Sequence, residues 1–124
     1  MNSKKIREFV LSLGITPDLL GYEYIISAVE LLFNQNEKAM MKIYEQVAEI
    51  HNTTRSKVQR AIKHAITTIL NCYGGYDLLS KTFRCNLLSN TLPTSKFLWL
   101  CVETLKYNWE EQNDVLIFKI PPKL

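Results

Sequence analysis

Three observations predict an all-α fold of about six helices. Apolar residues recur at helical spacing along nearly the whole chain, with a period near 3.6 rather than 2. Four glycines and four prolines are the only strong breakers in 124 residues. The one strand-like stretch, Asp114 to Pro122, has no second strand to pair with, and a lone strand is not stable by itself.

The elements follow in order. Ile6, Phe9, Val10 and Leu13 fall at i, i+3, i+4 and i+7, with Ser3 placed to cap a first helix and Gly14 to stop it. Thr16-Pro17-Asp18 suits the first turn of a short second helix, because proline is tolerated where its missing N–H is unneeded. After Gly21, the span from Tyr22 to Phe33 gathers Ile25, Ile26, Val29, Leu32 and Phe33 on one side. Asn34-Gln35-Asn36 breaks the pattern, and Asn36 is a suitable cap for a helix of about 40–51 carrying Met40, Ile43, Val47 and Ile50. A polar turn, centred on residues 52–54, leads to the longest clean pattern: Val58, Ala61, Ile62, Ala65, Ile66, Ile69 and Leu70, in a helix of about 55–71. Gly74-Gly75 is expected to end it. Tyr76 to Phe83 reads as one or two helical turns, Arg84 to Leu92 as a polar loop, and Thr94 or Ser95 as the cap of a last helix burying Phe97, Leu100, Cys101 and Leu105. Residues 1–108 are thus expected to form one helix-turn-helix domain, and 109–124 a C-terminal extension with a short extended tail.

Composition bounds the function. Hydrophobic residues at 47% and charged residues at 22% are near the globular average, which excludes disorder for the chain as a whole. Cys72, Cys85 and Cys101 are odd in number and lack a C-x-x-C pair, so reduced, partly buried thiols are expected rather than a disulfide framework or zinc site. The longest apolar runs are far shorter than the ~20 residues of a membrane-spanning helix. A cytoplasmic protein without membrane partner is expected. His51 and His64 have no ligating neighbours, Gly74-Gly75 lacks the frame of a phosphate loop, and no Ser/His/Asp or Cys/His set is suggested. No metal, cofactor or enzymatic activity is therefore expected. The tyrosines and tryptophans (Tyr22, Tyr24, Tyr44, Trp99, Trp109) lie near helical periods and are expected to pack.

The charge distribution carries more than its sum. The net charge is +3. Between Ile50 and Tyr76 lie Arg55, Lys57, Arg60 and Lys63 with no carboxylate, leaving eleven cations and twelve carboxylates for the rest of the chain. On a helical wheel the apolar set centres near Val58, Ala65 and Ile69, while Ser56, Arg60, Lys63 and Thr67 point away, flanked by Lys57, Gln59 and His64. An ordinary solvated helix mixes signs to form i, i+4 pairs; this one has none to mix. Arg or Lys matches the guanine O6/N7 pair and Gln the adenine N6/N7 pair, while a helix N-terminus and nearby cations hold phosphates. The spacing Ala48, Asn52, Val58 also suits two helices crossing closely about a left-handed turn residue. Double-stranded DNA is the expected partner.

The run Asn52-Thr53-Thr54-Arg55-Ser56-Lys57-Val58-Gln59-Arg60-Ala61-Ile62-Lys63-His64-Ala65-Ile66 closely resembles the recognition-helix motif of the sporulation master response regulator family (stage-zero sporulation protein A), roughly N-T-T-x-S-R-V-E-R-A-I-R-H-A-I. The likeness extends to Leu13-Gly14-Ile15-Thr16-Pro17, Gly21-Tyr22-Glu23-Tyr24, Phe83, Ser89-Asn90-Thr91 and Pro93 to Phe97, covering about residues 5–107. It implies a six-helix DNA-binding effector domain that binds promoter boxes, often as tandem protomers forming a dimer on DNA, and contacts RNA polymerase and its sigma factor. By this likeness Lys57, Gln59, Arg60, Lys63 and His64 would contact bases and backbone, and Asp77 to Phe83 would face polymerase.

Three positions depart from the motif: Lys57 and Lys63 replace arginines, and Gln59 replaces a glutamate. Lysine keeps the charge but loses the planar fork, and Gln exchanges a cytosine acceptor for an adenine-pairing amide. An altered box is expected. The family's regulators also carry a receiver domain ahead of this one, for which 124 residues leave no room. The chain is accordingly expected to be either an excised effector domain or a stand-alone product. The alternative reading is a protein-interaction module that kept the fold but lost tight DNA specificity.

Overall fold

The apolar periodicity resolves into six helices, α1 (Ser3–Ser12), α2 (Gly21–Asn34), α3 (Met40–Ile50), α4 (Arg55–Asn71), α5 (Gly75–Phe83) and α6 (Thr94–Gln112). The computed structural model describes residues 3–35, 39–85 and 92–112, the last six by backbone alone. Among the described residues there is no strand. The expected cap Asn36, most of the loop before Pro93, the aromatic packing of Trp109 and the strand-like tail lie outside them. α6 runs through Gln112, so the change from domain to extension expected at residue 108 falls within a helix.

α2 and α4 are the hubs. α2 packs against α1, α3, α4 and α6, and α4 against α2, α3, α5 and α6. The reason for α2 is its breadth of apolar surface: Tyr22, Tyr24, Ile25, Ile26, Ala28, Val29 and Leu32 are all buried. Helices hydrophobic on more than one side sit inside a fold. Ile6, Phe9 and Val10 of α1, Ile43, Tyr44 and Val47 of α3, and Val58, Ile62 and Ile66 of α4 close the same core. Tyr22, Tyr24 and Tyr44 are core residues, as their spacing predicted. Burial pushes the Tyr44 hydroxyl up to about 12.

Two glycines bring helices onto α4 more closely than a side chain would allow. A Cβ at Gly21 would collide with the Ala61 carbonyl oxygen and lie 3.1 Å from Cβ of Ala65. A Cβ at Gly75 would strike the Ile69 carbonyl. Backbone approach of this kind needs glycine. At the outer edge, Arg7 of α1 donates to both carboxylate oxygens of Glu23 on α2, at 2.7 and 2.9 Å. That hydrogen bonding holds the Glu23 carboxyl below its ordinary value.

Four local expectations are corrected. Thr16-Pro17-Asp18 forms a turn and not a short helix; Thr16 satisfies Asp18 through its hydroxyl and accepts from Leu19 N–H through its carbonyl, which closes the turn locally. α4 spans Arg55–Asn71 as expected, but it ends short of the glycine pair expected to stop it. Gly74, at φ 78°, instead precedes α5, and Gly75 opens it against α4. The buried side of α6 includes Leu98 and Val102, while Leu100 is only half-buried, because α2, α4 and α5 all pack on this helix and widen its apolar face. Leu70 is likewise half-buried. Gly14 behaves as expected, at φ 91° just beyond α1.

Candidate nucleic-acid interface

α3 and α4 are joined by four residues. His51 N–H donates to the Val47 carbonyl at 3.0 Å and Thr53 N–H to the Ala48 carbonyl at 2.9 Å, closing the end of α3. Between them Asn52 takes φ 54°, the left-handed conformation that asparagine tolerates better than most non-glycine residues. Thr54 then has extended backbone, and its hydroxyl accepts from Lys57 N–H at 3.3 Å. This N-cap satisfies one of the four donors every helix start leaves open. The others point outward at the head of a helix with no acidic residue in its first turn.

The body of α4 is divided lengthwise. Val58, Ile62, Ala65, Ile66 and Ile69 are buried. Arg55, Ser56, Lys57, Arg60, Lys63, His64 and Thr67 are exposed, and Gln59 is half-buried at the margin. The expected DNA-binding residues Arg55, Ser56, Lys57, Gln59, Arg60, Lys63 and His64 thus share one side of one helix, with Gln59 set back from the fully open face. Among the described residues, no ion pair engages Arg55, Lys57, Arg60 or Lys63. Arg60 Nε makes a long 3.4 Å contact to the Ser56 carbonyl, and Thr68 donates to the His64 carbonyl at 2.8 Å. Both bonds lie along the helix and leave the charges available.

Beside the head of α4, a shallow cleft is lined by Glu45, Ala48 and Glu49 of α3 with Thr53, Thr54, Arg55 and Ser56. The cleft sets two carboxylates of α3 beside the N-terminal margin of the cationic face. Among the described residues, no three His, Cys, Asp or Glu side chains gather where they could hold a metal ion. The three cysteines are free, with Cys72 exposed, Cys85 half-buried and Cys101 buried. Burial pushes the Cys101 thiol up. No described helix is long and apolar enough to cross a membrane.

His51 has a place in the fold that its sequence neighbourhood does not announce. Its spacing bears only on metal ligation, yet its Nε2 lies 2.7 Å from the Ser27 hydroxyl of α2, and its ring meets the Tyr24 ring edge-on at 5.0 Å. The two partners lie 24 and 27 residues upstream, so no local spacing could have revealed the contact.

A helix that seals one side into the core and shows only cations, hydroxyls, an imidazole and an amide on the other has the make-up of a helical DNA-binding domain. A family model described as the C terminal of the sporulation initiation factor Spo0A matches residues 6–105. The chain belongs to that family, the DNA-binding effector domains of sporulation regulators.

Proposed function

We propose that this chain is a sequence-specific transcription regulator that lays α4 in the major groove of a promoter box. One observation carries the reading: the whole solvent side of α4 is free of carboxylates, and its four cations are unpaired among the described residues. Arg55, Ser56 and the open N–H groups at the helix start are placed to grip phosphate, where the helix dipole adds to the attraction. Lys57, Arg60, Lys63 and His64 project where base edges and the flanking phosphates are met, and half-buried Gln59 reaches the groove from the margin. Its amide prefers adenine where the family motif's glutamate accepts from cytosine, so the box differs at that position.

Residues 1–108 act as the effector domain, in the cytoplasm, and protomers bind in tandem on DNA. Of the segment Asp77 to Phe83, Leu79 and Phe83 are buried, so polymerase or its sigma factor would meet Asp77, Leu78 and Lys81. No catalytic role is assigned to any residue.

Salt-dependent duplex binding tests the reading. If four cations contact phosphates, log K falls with log salt at a slope of roughly −3 to −4. Selection from randomised duplexes tests specificity in the same protein. Recovery of an unaltered family box, with full preference opposite Gln59, overturns the altered specificity. Absence of duplex binding at low salt would favour the interaction-module reading, to which exposed Tyr73 and Leu78 lend the apolar surface.

A further inference from the structure

We infer that His51, held by Ser27, is a positioning residue for DNA reading: the pair clamps to α2 the turn that aims the head of α4. The inference rests on the DNA-reading function proposed above and adds a residue outside the reading helix. His51 is the first residue after α3, and its side chain turns back to α2. There its Nε2 shares a 2.7 Å hydrogen bond with Ser27 Oγ, while the ring stands at 65° to that of Tyr24. Tyr24 and Ser27 are three apart on one helix and so present a single surface. Leu20, Glu23 and Tyr24 of the same region line a cleft with His51. The imidazole is thereby fixed in two directions, along the hydrogen bond and across the ring face.

The turn beyond His51 buries no side chain of its own. Asn52 is exposed with a left-handed backbone, Thr54 is exposed, and the turn reaches back to α3 by backbone alone, Asn52 N–H to the Glu49 carbonyl at 3.3 Å and Thr53 N–H to the Ala48 carbonyl at 2.9 Å. Three residues separate the clamp from Arg55, and those residues have no buried side chain among them. Farther along, α4 is secured by Val58, Ile62 and the close approach of Gly21 to Ala61. Loosening His51 would therefore leave the body of α4 in place and release its first turn, which carries Arg55, Ser56 and Lys57. Recognition groups need to be held within about 0.5 Å and 10–20° of their working geometry, and a hydrogen bond at the root of a four-residue turn is well placed to supply that. His51 itself faces Ser27 and Tyr24, so its part in binding runs through the turn and not through a phosphate.

The test uses the full chain with Ser27→Ala, His51→Phe, the double variant and Ser27→Thr. Phenylalanine keeps a ring against Tyr24 and removes only the polar contact. Two readouts are taken: exchange of the hydrogen-bonded amides of Asn52, Thr53 and Lys57 in the free protein, and affinity for a labelled duplex bearing the top sequence from the randomised selection. Ser27→Ala and His51→Phe should each raise exchange there and weaken the duplex about fivefold, the scale of one net hydrogen bond. The salt slope should stay unchanged, because no phosphate contact is lost. The double variant should be no worse than His51→Phe, and Ser27→Thr should restore both readouts. Unchanged exchange in both single variants overturns the clamp. Unchanged affinity with raised exchange overturns the positioning role, and a loss of about one unit in slope would make His51 a direct phosphate contact instead. A wild-type chain that binds no duplex defeats the DNA reading, and the positioning role with it, whatever the exchange shows.

Discussion

α3 and α4 bury similar stripes against the same core and differ almost entirely in what they leave outside. Ile43, Tyr44, Val47 and Ala48 anchor α3, as Val58, Ile62, Ala65, Ile66 and Ile69 anchor α4. The exposed side of α3 mixes Lys42 with Glu45 and Glu49 and adds Met41 and Ile50. That of α4 has cations, hydroxyls and a histidine, and no carboxylate. Packing needs only the inner stripe, so the outer stripe is free to serve a partner. The contrast teaches that the fold demands amphipathicity from both helices, while of the two only α4 carries a cationic surface without carboxylates.

The sharpest way to break that contrast is to change neighbouring residues on opposite sides of α4. Ile62→Ala should destabilise the protein by about 2–5 kcal/mol, as cavity-forming substitutions do, whereas Lys63→Ala should stay within about 0.5 kcal/mol. Denaturant unfolding of the two variants measures the difference. Equal losses would mean that the outer stripe is structural.

Next in size, Arg60→Ala should cost about 1–3 kcal/mol of duplex affinity at one base position if the side chain reads guanine. Competition among duplexes substituted at each position locates the effect. A uniform loss across all sequences, with a shallower salt slope, would make Arg60 a phosphate contact.

A smaller effect is expected on α3. Glu49 lines the cleft beside Arg55 and Ser56, so a duplex seated on α4 as proposed would come near its carboxylate. Glu49→Gln should tighten duplex binding by less than about 1 kcal/mol, more at low salt than at high. Weaker binding would show that α3 contributes to recognition by more than support.

The smallest effect concerns a charge that is paired, the opposite of the α4 cations. Arg7 lowers the folded-state value of Glu23 below its ordinary 4.5. A depressed carboxyl adds stability that is fully present above that ordinary value and is lost as pH falls through the folded one. The side chains are 41% and 48% exposed, so solvent screening limits the pair to at most about 1 kcal/mol. The stability gap between wild type and Arg7→Met should therefore close on titration from pH 7 to below 4.5. A gap that persists in acid would trace to the packing of Arg7 near the Tyr22 ring.

Long helices were legible because their periodicity is long. The patterns over Tyr22–Phe33 and Val58–Leu70 match α2 and α4 closely, and the charge on α4 followed from its wheel. Short punctuation was less legible. Thr16-Pro17-Asp18 has the composition of a helix start and also of a turn, and only its own hydrogen bonds decide. Gly74-Gly75 could stop one helix or start the next; the packing of Gly75 on the Ile69 carbonyl selects the second. Gln59 lies so near the wheel's boundary that its half-burial depends on the neighbours that α4 has gathered.

By itself, the order of residues determined the helical class, the separation of α4 into apolar and cationic sides, and the left-handed turn that Asn52 accepts. All three are local, because period, charge and backbone tolerance act within a few residues. Tertiary structure decided which helices approach α4 without side chains between them, how far Gln59 is covered, and that His51 reaches back to Ser27. Those outcomes depend on groups far apart in the chain meeting in a close-packed interior, where position is settled by the whole set of neighbours and not by the sequence on either side.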